Sequence, residues 1–175
     1  MGELNALSCV GQNDLVSLRI VCTLAQNKRN KLSLEDMDGY GNTALLKACY
    51  LGRFDCARTL LHFGANIFAV NYFGQNALTL ATCAGHLRLV QELLCRRSYK
   101  DFNRSSLIPA LCVAVMKKHA DLEKYFIGLD PVGVHSTQTV HGLGVSDLKK
   151  MITEADRLNK RRHPPSPTFL NCKLR

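Results

Sequence analysis

The residues of this 175-residue chain best suited to chemistry are its eight cysteines and six histidines. Thiolates and imidazoles can hold zinc or serve as nucleophile and base, but either task needs ligands at set spacings. Cys9, Cys22, Cys49, Cys56, Cys83, Cys95, Cys112 and Cys172 contain no CxxC and form no zinc pattern with the scattered histidines. Seven of them sit among apolar neighbours, where Cys acts as a small core residue. No nucleophile stands beside a base, and no carboxylate pair recurs at a useful offset. The sequence therefore predicts no catalytic residue, no metal site and no cofactor, and the chain is read as not an enzyme.

Three short segments towards the C-terminus could do binding or regulatory work. Ser136, Thr137, Gln138 and Thr139 lie in an extended, β-branched stretch. The stretch resembles the TQT motif by which partners add a strand to dynein light chain. It reads equally as plain linker. Ser166 precedes Pro167, the pattern of a proline-directed phosphorylation site. Arg161, Pro164 and Pro167 fit the spacing of a polyproline ligand, and Lys160-Arg161-Arg162 could touch an acidic surface or a nuclear carrier.

The formal net charge is +9, and its distribution is uneven. Residues 1–126 carry 15 Lys/Arg against 10 Asp/Glu, and residues 127–175 carry 8 against 4. The basic tail lacks interleaved aromatics, so nucleic acid is not the expected partner. No apolar run is long enough to span a bilayer, and the N-terminus lacks the charged start and apolar core of a signal peptide. A reducing cytoplasmic or nuclear location and free thiols are the expectation.

What would position any of these residues is a repeat. Gly41, Ala44, Leu45, Ala48, Gly52, Leu60 and Leu61 return as Gly74, Ala77, Leu78, Ala81, Gly85, Leu93 and Leu94, every offset being 33. A constant period in this range marks stacked supersecondary units. Within one unit, Leu45, Ala48 and Leu51 share a face of a short helix that Gly52 ends. Phe54, Ala57, Leu60 and Leu61 mark the face of a second helix that Gly64 ends. Thr43 and Asn76 are suited to cap the first helix of each unit.

These residues resemble the ankyrin repeat: Asp38, Gly41, Thr43-Ala44-Leu45-Leu46, Ala48, Gly52, Leu60-Leu61 and Gly64-Ala65-Asn66 in one unit, Asn71, Gly74, Asn76-Ala77-Leu78-Thr79, Ala81, Gly85-His86 and Leu93-Leu94 in the next. The family's Pro is Ala in both units and its His is Leu46 and Thr79, so a hydrogen-bonding cluster is expected to be lost. A further stride of 33 finds Ala110, Leu111, Ala114, His119, Leu122 and Phe126, with Arg104 and Leu107 in place of the turn Asp and Gly. Upstream, Asn13–Cys22 reads as an outer helix with Asn13 at the Gly52 position. About six residues are inserted before Asp38.

The fold class implied is all-α: an ankyrin-repeat solenoid of helix–turn–helix units with protruding turns over residues 4–127, four units in all, the outer two degenerate. A flexible linker (128–145), an amphipathic helix (146–162) and a disordered basic, Pro-rich tail (163–175) follow. Ser146 is the expected cap of that helix, and Leu148, Met151, Ile152, Ala155 and Leu158 its apolar face, which either covers the last unit or offers itself to a partner.

The resemblance implies a monomer that binds another protein through turn tips and inner helices. The variable positions there are Gly39, Tyr40, Asn42, Tyr50 and Leu51, then Tyr72, Phe73, Gln75, Cys83 and Ala84. Tyr40, Tyr50, Tyr72 and Phe73 are the aromatic anchors expected to matter most. The predicted role is a non-catalytic adaptor or scaffold. The alternative is a regulatory or targeting part of a larger kinase or phosphatase assembly.

Overall fold

The computed structural model describes residues 5–27 and 32–162, with side chains as far as residue 159. Within them lie ten helices: α1 (Ala6–Gln12), α2 (Leu15–Gln26), α3 (Ala44–Leu51), α4 (Phe54–His62), α5 (Ala77–Cys83), α6 (Leu87–Arg96), α7 (Tyr99–Ser105), α8 (Ala110–Met116), α9 (Ala120–Leu129) and α10 (Val145–Arg162). The inner helices α1, α3, α5, α8 and α10 stack in that order. Outer helices α2, α4 and α6 stack behind them, and each of the first four inner helices packs on its own outer helix. This is the helix–turn–helix solenoid that the 33-residue period predicts.

Small residues set the spacing of the stack. Ala44, Ala48, Ala77, Ala81, Ala110 and Ala114 are all buried and have nothing beyond Cβ to hold neighbouring helices apart. Between inner and outer helix the chain reverses through a left-handed residue. Gly52 (φ 71°) and Gly85 (φ 82°) take this role in the clear units, and Asn13 and Lys118, both at φ 59°, take it in the first and fourth. Asn tolerates the conformation, whereas Lys is strained in it. The ring of His86 lies across Gly52, with Nε2 3.2 Å from the Tyr50 carbonyl oxygen. His119 covers Gly85 in the same way, 3.1 Å from the Cys83 oxygen. A carbonyl can only accept, so each Nε2 carries the proton and ties one unit to the one before.

Several expectations need correction. Leu51 does not share the buried face of Leu45 and Ala48; it is 39% exposed at the rim of α3. The hydrogen-bonding cluster is rebuilt in the third unit. There the Thr79 hydroxyl lies 2.9 Å from both Asn76 Oδ1 and Ser106 Oγ, and Asn76 Nδ2 donates to the Phe102 carbonyl (2.7 Å) and to Ser105 Oγ (2.9 Å). The segment around Arg104 is helix α7 rather than a turn. It is capped by Ser98, which accepts from Asp101 N, and it buries Phe102 against Phe68 at 5.5 Å between ring centroids.

Residues 128–145 are not an open linker. Asp130 Oδ1 accepts from Gly133 N, and Gly133 O accepts from the Thr137 hydroxyl. Thr139 N donates to Leu143 O, Gly142 N to Thr139 O, and Gln138 pairs with Gly144. The third unit makes the same set: Asn71 N to Gln75 O, Gly74 N to Asn71 O, and Val70 with Asn76. Residues 138–144 are therefore the turn of a fifth unit and α10 is its inner helix. Its N-terminus is set by Gly144, whose N–H donates to Asp147 and whose carbonyl accepts from Leu148 N, and not by Ser146. Val145 and Leu148 are buried and Ile152 packs behind them, whereas Met151, Ala155 and Leu158 are exposed. Residues 163–175, with Ser166 and the Pro-rich tail, lie outside the described residues.

Candidate functional site

The protruding turns that precede α3 and α5 are built by one carboxylate and one amide. Asp38 Oδ1 accepts from the backbone N–H of Tyr40 and of Asn42, both at 2.9 Å, and from Asn42 Nδ2 at 3.2 Å. Thirty-three residues on, Asn71 Oδ1 accepts from Phe73 N and Gln75 N, both at 3.0 Å. A short side-chain acceptor two residues before an N–H folds the chain into this turn. Asn71 Nδ2 then donates to Asn42 Oδ1 (2.9 Å) and Gln75 Oε1 (3.1 Å), so the two tips are laced side by side. Burial raises the Asp38 pKa, but the N–H groups of Asn42 and Tyr40, the Asn42 amide and the charge of Lys47 together bring it below the ordinary value.

Glycine shapes the upper rim. Gly41 (φ 78°) lies beneath the Tyr72 ring, where an added Cβ would stand 2.7 Å from it. Tyr72 N also donates to the Tyr40 carbonyl at 3.1 Å. Leu107 repeats the arrangement over Gly74, its N–H donating to the Gly74 carbonyl at 3.0 Å. The rings of Tyr40 and Phe73 lie alongside, 6.4 Å apart.

Beneath the tips, between α3 and α5, is a groove of about 530 Å3. Tyr40 and Phe73 form its upper wall, Tyr50 and Leu51 stand on α3, and Leu80 and Cys83 come from α5. Tyr40, Tyr50 and Phe73 are 64%, 53% and 62% exposed, so a solvated aromatic wall faces an apolar floor. Six of the seven residues predicted for binding line this groove: Tyr40, Asn42, Tyr50, Leu51, Phe73 and Gln75. Tyr72 lies outside the groove, turned onto Gly41, though 73% exposed. Asn42 and Gln75 carry the lacing of the tips, which makes them positioning groups. Lys47 and Leu80 escaped the sequence reading. Their signal was their inequality at a 33-residue offset between invariant alanines.

The remaining predicted segment does not join the groove. Ser136 and Thr137 donate to the Gly133 carbonyl just ahead of the fifth turn, Gln138 pairs with Gly144 within it, and Thr139 forms its corner. Among the described residues no group of His, Cys, Asp and Glu could hold a metal ion, and no helix is long and apolar enough to cross a membrane. The thiols of Cys22, Cys49 and Cys112 are pushed up to about 11, 12 and 11 by burial, the opposite of what a nucleophile needs.

The family model for ankyrin repeats in three copies matches residues 6–106. The chain is 70% identical over all 175 residues, covering 100% of both chains, to the Drosophila melanogaster protein named DNA replication inhibitor plutonium. It is 33% identical over 85 residues to a probable E3 ubiquitin-protein ligase, XBOS32, of Oryza sativa subsp. japonica, which is 48% of this chain and 16% of that one. Over 77 residues it is 36% identical to ankyrin repeat domain-containing protein 13B of Mus musculus, 44% of this chain and 12% of that one.

Proposed function

This chain belongs to the ankyrin-repeat family, and on that premise we propose that it is a non-catalytic protein-binding subunit that helps to restrain DNA replication. The restraint is exerted through a protein held in the groove between α3 and α5. One observation carries the reading: the exposed aromatic wall of Tyr40, Tyr50 and Phe73 over the apolar floor of Leu80 and Cys83. Exposed aromatics at a concave, pre-ordered surface are the usual anchors of a protein interface. The biological direction comes from the 70% identical relative, which is named as a DNA replication inhibitor. Inhibition runs through the bound partner, in the cytoplasm or nucleus. That partner is either a replication protein or an enzyme, of kinase or phosphatase type, that governs one.

The test uses the full chain and the double variant Tyr40→Ala/Phe73→Ala. Both residues are exposed, so folding should survive; circular dichroism checks this. The variant should lose the partner in affinity capture and should no longer restore normal DNA content to cells depleted of the wild-type chain. Full rescue by the variant would remove the groove as the working surface. Normal DNA content in depleted cells would remove replication as the process.

A further inference from the structure

We propose that the occupant of the α3–α5 groove is an extended segment of the partner protein that carries a large apolar side chain and, three or four residues away, a carboxylate. This rests on the groove being the binding surface. The inner helices of the first four units are almost devoid of charge. Helices α1, α3, α5 and α8 read ALSCVGQ, ALLKACYL, ALTLATC and ALCVAVM, and Lys47 is their one charged residue. It is half-buried, and among the described residues it makes no ion pair and no hydrogen bond. Leaving an ammonium partly desolvated without a counter-ion carries a cost that a carboxylate from a partner offsets.

One carboxylate of the chain lines the same groove, that of Asp38. Its oxygens accept from Tyr40 N, Asn42 N and Asn42 Nδ2, so it is bound into its own turn. Lys47 leans the other way. Its Nζ lies over Gly11, 3.4 Å from where a Cβ would stand. Since Asn13 answers to Gly52, Gly11 answers to Tyr50, three residues further from the tips than Lys47, or about 4.5 Å along the helix. Gly11 has no side chain to cover the ammonium, and α1 carries no acid to pair with it. Asp14, beyond α1, is engaged as the cap of α2, accepting from Ser17 N at 3.0 Å. An incoming carboxylate is therefore drawn to the α1 side of the groove, clear of Asp38.

The apolar anchor belongs on the opposite side, over Leu80 and Cys83 and against the rings of Tyr40 and Phe73. Neighbouring packed helices lie about 8–10 Å apart, and the lean of Lys47 toward α1 adds to that. Three or four residues of extended chain cover about 10–13 Å. The hydroxyls of Tyr40 and Tyr50 border this crossing and make no hydrogen bond among the described residues. They are left to meet the backbone groups of an extended segment. A helix satisfies its own backbone and would leave both hydroxyls unanswered.

The experiment selects random 12-residue peptides, displayed on phage, on the immobilised full chain. Enriched peptides should carry Phe, Trp, Leu or Met with Asp or Glu three or four residues away. Selection on Lys47→Glu should put Lys or Arg in place of the acid, and Lys47→Arg should select as wild type does. Circular dichroism and thermal melts check that these variants fold. The best peptide, labelled and read by anisotropy, should weaken about five-fold when its acid becomes the amide, and added salt should erode the difference. Against Lys47→Gln the acid and amide peptides should bind alike, which closes a double-mutant cycle on this pair. Some peptides will be lost on Tyr40→Ala/Phe73→Ala. If these lack an acid, carry one worth as much against Lys47→Gln, or space it seven residues away as on a helix, the inference falls and the groove stands as the binding surface. Peptides that bind the double variant as well as wild type, or a library that yields none, overturn both.

Discussion

Asn76 and Thr43 hold the same station in consecutive units, yet they should differ about fourfold in what they contribute to stability. Both are buried caps. Thr43 makes one bond, accepting from Leu46 N at 3.4 Å. Asn76 accepts from Thr79 N and the Thr79 hydroxyl, and it also donates to Phe102 O and Ser105 Oγ across the boundary to the next unit. Removing a cap costs about 1 kcal/mol. Each further buried hydrogen bond is worth about 1 kcal/mol net. Thr43→Ala should therefore lose about 1 kcal/mol and Asn76→Ala about 4 kcal/mol. Asn76→Ser keeps a capping oxygen but cannot reach across, so its loss should be about 2 kcal/mol. Urea unfolding followed by far-UV circular dichroism reads all three, with an unchanged slope showing that the transition remains cooperative. If Asn76→Ala costs no more than Thr43→Ala, or Asn76→Ser no more than wild type, then the bonds to α7 do not hold the third and fourth units together and the reasoning fails.

Three other outcomes follow from the same geometry. Gly52→Ala and Gly64→Ala both force a side chain into the left-handed region, at about 1 kcal/mol, but a Cβ on Gly52 would stand 2.5 Å from the His86 ring while nothing lies within 4 Å of one on Gly64. Gly52→Ala should thus be the more damaging by about 1 kcal/mol, a difference that a His86→Ala background should erase in thermal melts. Asp38, with its folded-state pKa below the unfolded one, adds stability that is complete above the unfolded value and lost as pH falls through the lowered folded value. Asp38→Asn should lower stability at neutral pH and leave the strongly acid end of the pH–stability curve unchanged, and parallel curves would argue against the carboxylate's part in the turn. In a Cys172→Ser chain, a thiol reagent at mild alkaline pH should label exposed Cys95 and then Cys83, while buried Cys49, its pKa near 12, stays unmodified until the chain unfolds. Fast labelling of Cys49 would refute the burial argument.

What could be read in the sequence was whatever packing demands of every copy. The alanines at 44, 48, 77 and 81, and the glycines at 41, 52, 74 and 85, recur because any larger or right-handed residue would part the helices or block the turn. Asn13 could be matched to Gly52 because Asn shares with Gly a tolerance for the left-handed region, and the structure has it there. The fifth unit escaped notice for two reasons. Gly142 follows Gly74 by 68 residues, two more than two periods, so a stride of 33 misses it. Its corner is Thr139 rather than Asp or Asn: the hydroxyl accepts from Leu143 N at 3.2 Å, as Asn71 Oδ1 accepts from Gln75 N, so the turn is kept with a residue type that the repeat pattern does not mark. Helix α7 did leave a trace, Ser98 with Asp101 three residues on, a cap signal that the repeat pattern overshadowed.

The groove was only half legible because its character arises from inequality between copies. At one station of the inner helix α3 presents Lys47 where α5 presents Leu80, and at another Tyr50 where α5 presents Cys83. The groove therefore runs from long, polar-tipped side chains on one side to short, apolar ones on the other. A partner that settles a bulky apolar group above Leu80 and Cys83, and an acceptor near Lys47, can do so in one orientation; shifted on by a unit it meets Leu80 at the Lys47 station, and Val113 and Met116 opposite. The lacing of Asp38, Asn42, Asn71 and Gln75 keeps the two aromatic tips at fixed separation before any partner arrives. Little ordering entropy is then left to be lost on binding. Asn42 and Gln75 thus belong to the site through the rigidity they give Tyr40 and Phe73, and replacing either should weaken binding by loosening the tips even where the partner never touches it.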